Sequence, residues 1–191
     1  HKMNPHSKLG RPAWALADAL GVAREVLDAL ASSCDRIAIA GSVRRGATTV
    51  HDIELLCVPH PGLEPPRNMF GERRSASGDL LTTLIAQLLA TGYFTPRGSF
   101  GPLYKLLVHT ASGIPIDVFS TPAANWGMAL VVRTGPALFN IQLMAEFKRR
   151  GMAGHPYGGV TMPDGTEQPC PTEASVFTFV GWPYIEPEKR L

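Results

Sequence analysis

Residues 40–56 read AGSVRRGATTVHDIELL, and the order of residue types here decides the fold. The preceding run, Arg36-Ile37-Ala38-Ile39-Ala40, reads as a short buried strand that delivers the chain to Gly41-Ser42. Small residues at such a junction start a helix turn whose backbone N–H groups and hydroxyl approach a phosphate closely, at the positive end of the helix dipole. Arg44 and Arg45 add planar guanidinium forks suited to phosphate oxygens. Nine residues, 43 to 51, then separate Ser42 from Asp52. Residues 50–58 (VHDIELLCV) read as a second strand, ended by Pro59. Side chains at i and i+2 share a strand face, so Asp52 and Glu54 project together while Ile53 and Leu55 turn to the core. Two like charges so placed repel by something of order 1 kcal/mol or more. Divalent cations would remove that cost.

Outward from this stretch, IPIDVF (114–119) sets a further acid, Asp117, inside an apolar run. If that strand lies beside the first, three carboxylates converge into a hard-oxygen set suited to two Mg²⁺ ions shared with substrate phosphates. Upstream, Leu16, Leu20, Ala23, Leu27, Leu30 and Cys34 recur at steps of three and four, which predicts an amphipathic helix within 12–34, broken or kinked near Gly21. Residues 61–78, rich in Pro, Gly, Arg and Ser, read as a mobile loop, and Asp79 as the cap of a helix reaching Ala90. Strands at 103–110 and 114–120 are joined by Ala111-Ser112-Gly113. A short helix at 125–133 stops at Gly135, and Pro136 opens another that ends in Lys148-Arg149-Arg150-Gly151. Residues 162–165 form a turn in a small hairpin, and 173–180 a last helix. The expected fold is mixed α/β (α+β): a mixed sheet carrying helices, then a smaller helix-and-hairpin lobe.

Composition sets the limits. At 191 residues, 45% hydrophobic and 18% charged with net charge +2, the chain suits one domain or two packed lobes and is too apolar for a disordered protein. No run approaches the ~18 apolar residues of a membrane span, and no leader is evident, so a cytoplasmic location without a membrane partner is expected. His1-Lys2 reads as an expression remnant before a native Met3. Cys34, Cys57 and Cys170 form no CxxC pair and read as buried reduced thiols.

Gly-Ser, a nine-residue gap and then Asp-apolar-acid-apolar resembles the nucleotidyltransferase superfamily. More closely, GSVRRG (41–46), IPIDVFSTP (114–122), VRTGPALFN (132–140) and EASVFTFVGWPYIEPEKR (173–190) resemble, in order, motifs of the X family of DNA polymerases, the DNA polymerase beta-like group. The resemblance implies a nucleotidyltransferase palm at 13–120 and a thumb-like lobe at 121–191. It implies that Asp52, Glu54 and Asp117 hold two Mg²⁺ ions, with Mn²⁺ able to substitute. A primer 3′-hydroxyl then attacks the α-phosphate of a dNTP and pyrophosphate departs. Gly41, Ser42 and Arg45 would grip the β- and γ-phosphates. Val132, Arg133, Thr134 and Gly135 would line the sugar, Gly135 also serving as a helix stop. Asn140 would reach the base edge, and Lys148, Arg149 and Arg150 the nucleic acid.

The sequence departs from the family pattern in several places. Glu54 stands where the second carboxylate is usually Asp; one more methylene predicts retained activity with a stronger response to Mn²⁺. His51 replaces a usual Gly and reads as structural. Val132-Arg133 replaces paired aromatics, which predicts weakened exclusion of the ribose 2′-hydroxyl and so use of rNTP. Met144 takes the place of an Arg near the template, a reading of relaxed fidelity set against one of simple core packing. The segment before the palm leaves no room for a lyase or helix-hairpin-helix domain, so no deoxyribose-phosphate lyase activity and weak, salt-sensitive DNA affinity are expected. The leading function is low-fidelity, DNA-directed primer extension, with gap filling in DNA repair as its setting. Two alternatives stand beside it: untemplated addition to an RNA or DNA end, a protein or a small molecule, and an inactive nucleotide-binding module.

Overall fold

The computed structural model describes residues 11–62 and 78–190. Most of the loop read at 61–78, and the first three residues, lie outside them. A two-residue strand, β1 (Trp14–Ala15), leads into α1 (Leu16–Leu30), a 3-10 turn and β2 (Cys34–Ile39). Helix α1 buries Ala19, Ala23, Val26 and Leu30 and runs unbroken through Gly21. The expected kink is absent because Gly21 lies on the exposed side, where nothing stands within 4 Å of a Cβ built on it, and packing of the opposite face outweighs its poor propensity.

A single helical turn follows, α2 (Gly41–Arg44), and then β3 (Thr49–Val50) and β4 (Ile53–Pro59). The one strand read over 50–58 is therefore two. Trp14 pairs with Val50, so β3 joins β1 in its own ribbon, and His51 donates Nδ1–H to the Pro12 carbonyl at 2.9 Å. The chain bends at His51-Asp52, and the main sheet is joined from Ile53 onward. Helix α3 (Leu80–Ala90) starts as expected at Asp79, whose carboxylate accepts the Thr82 N–H at 2.6 Å. Strands β5 (Phe94–Phe100), β6 (Tyr104–His109) and β7 (Pro115–Ser120) come next. Strand β5 has no counterpart in the sequence reading. Pro96 and Gly98 argue against a strand, yet β5 is an edge strand with a register shift between Pro96 and Phe100, where a missing N–H is tolerated. The rest comprises α4 (Trp126–Thr134), α5 (Ala137–Arg149), β8 (Ala153–Gly154), β9 (Val160–Thr161), β10 (Glu167–Gln168) and α6 (Glu173–Val180).

The main sheet of the described residues has the order β2-β4-β7-β6-β5, with β4 and β7 parallel and the other neighbours antiparallel. Its two faces bury different partners. Ile53, Leu55 and Cys57 of β4 join Ile116 and Val118 of β7 in one core with α1 and α3. Leu56, Val58 and Phe119 face the other way, onto Trp126, Ala129 and Leu130 of α4. Further out, α4, α5 and α6 close a second core around Met128, Phe139, Leu143, Phe147 and Phe177, against which Met144 packs. This is the mixed α/β fold the residue pattern implied. Cys34, Cys57 and Cys170 are buried and free. Among the described residues no helix is long and apolar enough to cross a membrane.

Helix α4 crosses the segment before α6 so closely that a Cβ on Gly127 would lie 2.0 Å from the Thr172 carbonyl oxygen. Backbone cannot yield by that much without separating the two elements. Gly127→Ala is expected to destabilise the protein by about 2–3 kcal/mol despite alanine's better helix propensity. Urea unfolding checks this; equal or greater stability of the variant would refute the close-packing account.

Candidate active site

A cavity of about 500 Å³ opens where α2, the start of β4 and the α4–α5 junction meet. Gly41, Ser42 and Arg45 line one wall, Asp52 and Glu54 the floor, and Val132, Arg133, Thr134, Gly135 and Asn140 the opposite wall. Gly41 has φ +62°, and a Cβ there would lie 2.8 Å from Glu54 Oε2. Its bare backbone thus makes room for the longer acid. The Ser42 hydroxyl oxygen is buried with no hydrogen-bond partner among the described residues. A buried polar atom at a cavity wall in that condition suits a polar ligand.

The parallel pairing of β4 with β7 sets Glu54 directly beside Asp117. Burial pushes the Glu54 carboxyl up to about 7, helped by the negative charges of Asp52 and Asp117 and opposed by Arg133 and Arg45. Burial also raises Asp117, against the pull of Arg97. Arg97, reaching from β5, forms an ion pair with the Asp117 carboxylate. Asp117 does not line the cavity, and among the described residues no three His, Cys, Asp or Glu side chains stand close enough together to hold a metal ion. The structure therefore brings Asp52 and Glu54 into one cavity and keeps Asp117 next to them on the neighbouring strand.

Arg45 donates from Nη1 to the Thr134 carbonyl, which ties α2 to the end of α4. Gly135, at φ +65°, ends α4, and a Cβ on it would approach that Nη1 to 3.3 Å. Asn140 donates Nδ2–H to the Val132 carbonyl at 2.7 Å, and its Oδ1 is buried without a partner among the described residues. The guanidinium of Arg133 lies 3.8 Å from the Phe119 ring centroid and 4.9 Å from that of Tyr157, whose hydroxyl accepts from Nη2. Lys148, Arg149 and Arg150 do not line the cavity. Glu146 accepts from Arg149 at 2.8 and 2.6 Å and from Arg150 at 2.7 Å.

The family model of the DNA polymerase beta thumb matches residues 129–191. DNA polymerase lambda of Rattus norvegicus is 30% identical over 166 residues, an alignment covering 78% of this chain and 28% of the relative. The chain belongs to the X family of DNA polymerases, in its beta-like group. It spans somewhat more than a quarter of that relative's length.

In this X-family chain the two arginines of GSVRRG have separate fates. Arg44 does not face the cavity as a phosphate fork. It binds Glu173 of α6 through Nη1 at 2.8 Å and Nη2 at 2.6 Å, and Thr134 Oγ1 at 2.7 Å. The fully buried side chain of Arg190 adds a bond to Glu173 at 3.0 Å, and the Tyr184 hydroxyl another at 3.1 Å. Burial alone would raise the Glu173 carboxyl, yet Arg44 and Arg190 hold it below its ordinary value. Residue type alone did not separate the two arginines; the family resemblance is what singled out Arg45, and Arg45 lines the cavity. Nor did residue type identify Phe119 and Tyr157, which supply at Arg133 the aromatic surface missing from Val132-Arg133.

Glu54 carries a proton in the folded chain at pH values where the unfolded chain has released it. The stability this group contributes is therefore fully present below about pH 4.5, falls as pH rises toward 7, and then levels. The loss from this group is at most about 3 kcal/mol. In chelator, Glu54→Gln is expected to flatten that part of the profile. Urea unfolding of both proteins at intervals from pH 4.5 to 8 tests it; parallel profiles would refute the assignment.

Proposed function

We propose that this chain is the nucleotide-adding portion of an X-family polymerase, with a palm at 13–120 and a thumb-like lobe at 121–191, extending a primer 3′-hydroxyl with dNTP or rNTP. The observation that carries the reading is the cavity itself. It sets the Ser42 hydroxyl and Arg45 on one wall, two carboxylates on its floor, and Asn140 Oδ1 on the other wall, the hydroxyl and Oδ1 both without a partner among the described residues. The donor chemistry fits hard divalent cations: carboxylate oxygens, gathered where burial and the neighbouring acids push the Glu54 carboxyl up to about 7 in the chain alone. Asp52, Glu54 and Asp117 are the residues that would hold Mg²⁺, or Mn²⁺ in its place. When bound, such ions lower the pKa of an attacking hydroxyl and stabilise charge on departing pyrophosphate.

The chain's own groups do the rest. The Ser42 hydroxyl donates to a non-bridging phosphate oxygen, and Gly41 lets the backbone approach. Arg45 and Arg133 offset the triphosphate's negative charge as it gathers in transfer. Thr134 and Gly135 pass along the sugar. Asn140, steadied by one amide N–H on the Val132 carbonyl, meets the base with its Oδ1 as an acceptor. Lys148, Arg149 and Arg150 contact nucleic-acid phosphate, although Glu146, paired with Arg149 and Arg150, offsets part of the cluster's charge. One observation favours the untemplated alternative. Met144 packs on the second core, and the neighbouring surface of α5 presents exposed Leu138 and Ile141 rather than cations to a template strand.

A labelled primer, alone and annealed to template, is to be offered each dNTP and rNTP with Mg²⁺ or Mn²⁺. Template-directed extension is expected. Asp52→Asn and Asp117→Asn should each lower the rate at least about a hundredfold, since removing a charged ligand forfeits several kcal/mol of charge stabilisation. Ladders indifferent to the template base would select untemplated transfer, full activity in both variants would refute the roles of Asp52 and Asp117, and no incorporation by the parent chain would leave a nucleotide-binding module. In the same assay, Glu54→Asp is expected to reduce the advantage of Mn²⁺ over Mg²⁺; an identical metal response in both proteins overturns that point.

A further inference from the structure

Three guanidiniums surround the carboxylates, and they are anchored very differently. Arg45 is fixed to the Thr134 carbonyl, and Arg133 lies between two rings with the Tyr157 hydroxyl on Nη2. Arg97 comes from the edge strand β5, where Pro96 pairs with Leu107 and a register shift follows. Asp117 is two strands away, roughly 9–10 Å at ordinary spacing, opposite Leu106 of the intervening β6. The Arg97 side chain spans β6 to reach it. Apart from that ion pair, its hydrogen bond among the described residues is a long one of 3.4 Å from Nε to the Leu107 carbonyl. About a third of the Arg97 side chain is exposed, against 16% for Asp117. It is the least tethered of the three.

We infer that Arg97 is a built-in counter-ion for Asp117, which a divalent cation must displace before that carboxylate can join Asp52 and Glu54. Arg97 is thus a positioning residue that sets how much cation the chain needs. The inference rests on the reading of the three acids as a cation site. A guanidinium stays charged at any working pH, so Arg97 is not released by losing its own proton; competition for the carboxylate releases it. The pair also explains how an acid beside Glu54 is stabilised in the chain alone, since like charges there repel. Once displaced, Arg97 swings toward solvent from an edge strand, with little packing to lose.

The test is Mn²⁺ binding to the full chain, read from the electron paramagnetic resonance of free Mn²⁺, with thermal unfolding in chelator alongside. Removing a competing ion pair of partly exposed groups should tighten Mn²⁺ binding by roughly fivefold in Arg97→Gln. The same variant should melt lower than the parent in chelator and regain most of the difference at saturating Mn²⁺. Arg97→Lys, which keeps the charge but not the planar fork, should fall between the two proteins, and it decides the matter if the glutamine variant does not fold. Unchanged or weaker Mn²⁺ binding in the variant that folds overturns the role of Arg97. Asp117→Asn separates the two layers. If it leaves Mn²⁺ affinity intact, the cation-site reading itself fails; if it weakens binding while the Arg97 variants match the parent, the counter-ion inference alone fails.

Discussion

The parallel pairing of β4 with β7 is the constraint on which the rest depends. Both strands lie inside the sheet and are covered on both sides, which is the usual condition of parallel neighbours. Ile53, Leu55, Cys57, Ile116 and Val118 must face α1 and α3, so Glu54 and Asp117 must face the other way. A slip of one residue would drive an acid into the core and an isoleucine into the cavity. Apolar burial therefore fixes where the charges meet. The electrostatic cost of that meeting appears in the raised Glu54 and Asp117 carboxyls.

A second constraint joins the sheet to the helices after it. Glu173 receives two arginines and a tyrosine, and each comes from a different place in the chain: Arg44 after β2, Tyr184 and Arg190 after α6. Losing one partner would strand buried charge, so the group behaves as a unit. Thr134 belongs to the same arrangement, its hydroxyl facing Arg44 and its carbonyl facing Arg45. The cavity wall is thus held by a network that contributes no group to the cavity floor.

Much of this was legible in the residue pattern. The Gly-Ser turn is a short-range fact, and so is the nearness of Asp52 to Glu54: both acids line the cavity, although Asp52 sits at the bend before β4 and not on the strand that the spacing predicts. Helix α6 carries its own punctuation, with Thr172 accepting the Ser175 N–H and Gly181 closing it in the left-handed region. What escaped was decided at a distance. Whether residues 49–59 make one strand or two depends on Trp14 and Pro12, far away in sequence. That Arg44 turns away from the cavity depends on Glu173, which residue type at positions 44 and 45 does not announce. Strand β5 was hidden because proline and glycine are poor signals for a strand, though tolerable on an edge. The pairing of Arg149 and Arg150 with Glu146 was within reach, since residues three and four apart on a helix are neighbours.

The fit between Gly41 and Glu54 makes the two positions unequal partners. A side chain at position 41 would meet the Glu54 carboxylate at 2.8 Å and the Glu54 Cβ at 3.2 Å, and the left-handed backbone there excludes most alternatives independently. A shorter acid would clear the carboxylate contact but leave its Cβ in place. Position 41 is thus closed to side chains twice over, by its backbone and by its neighbour, whichever acid stands at 54.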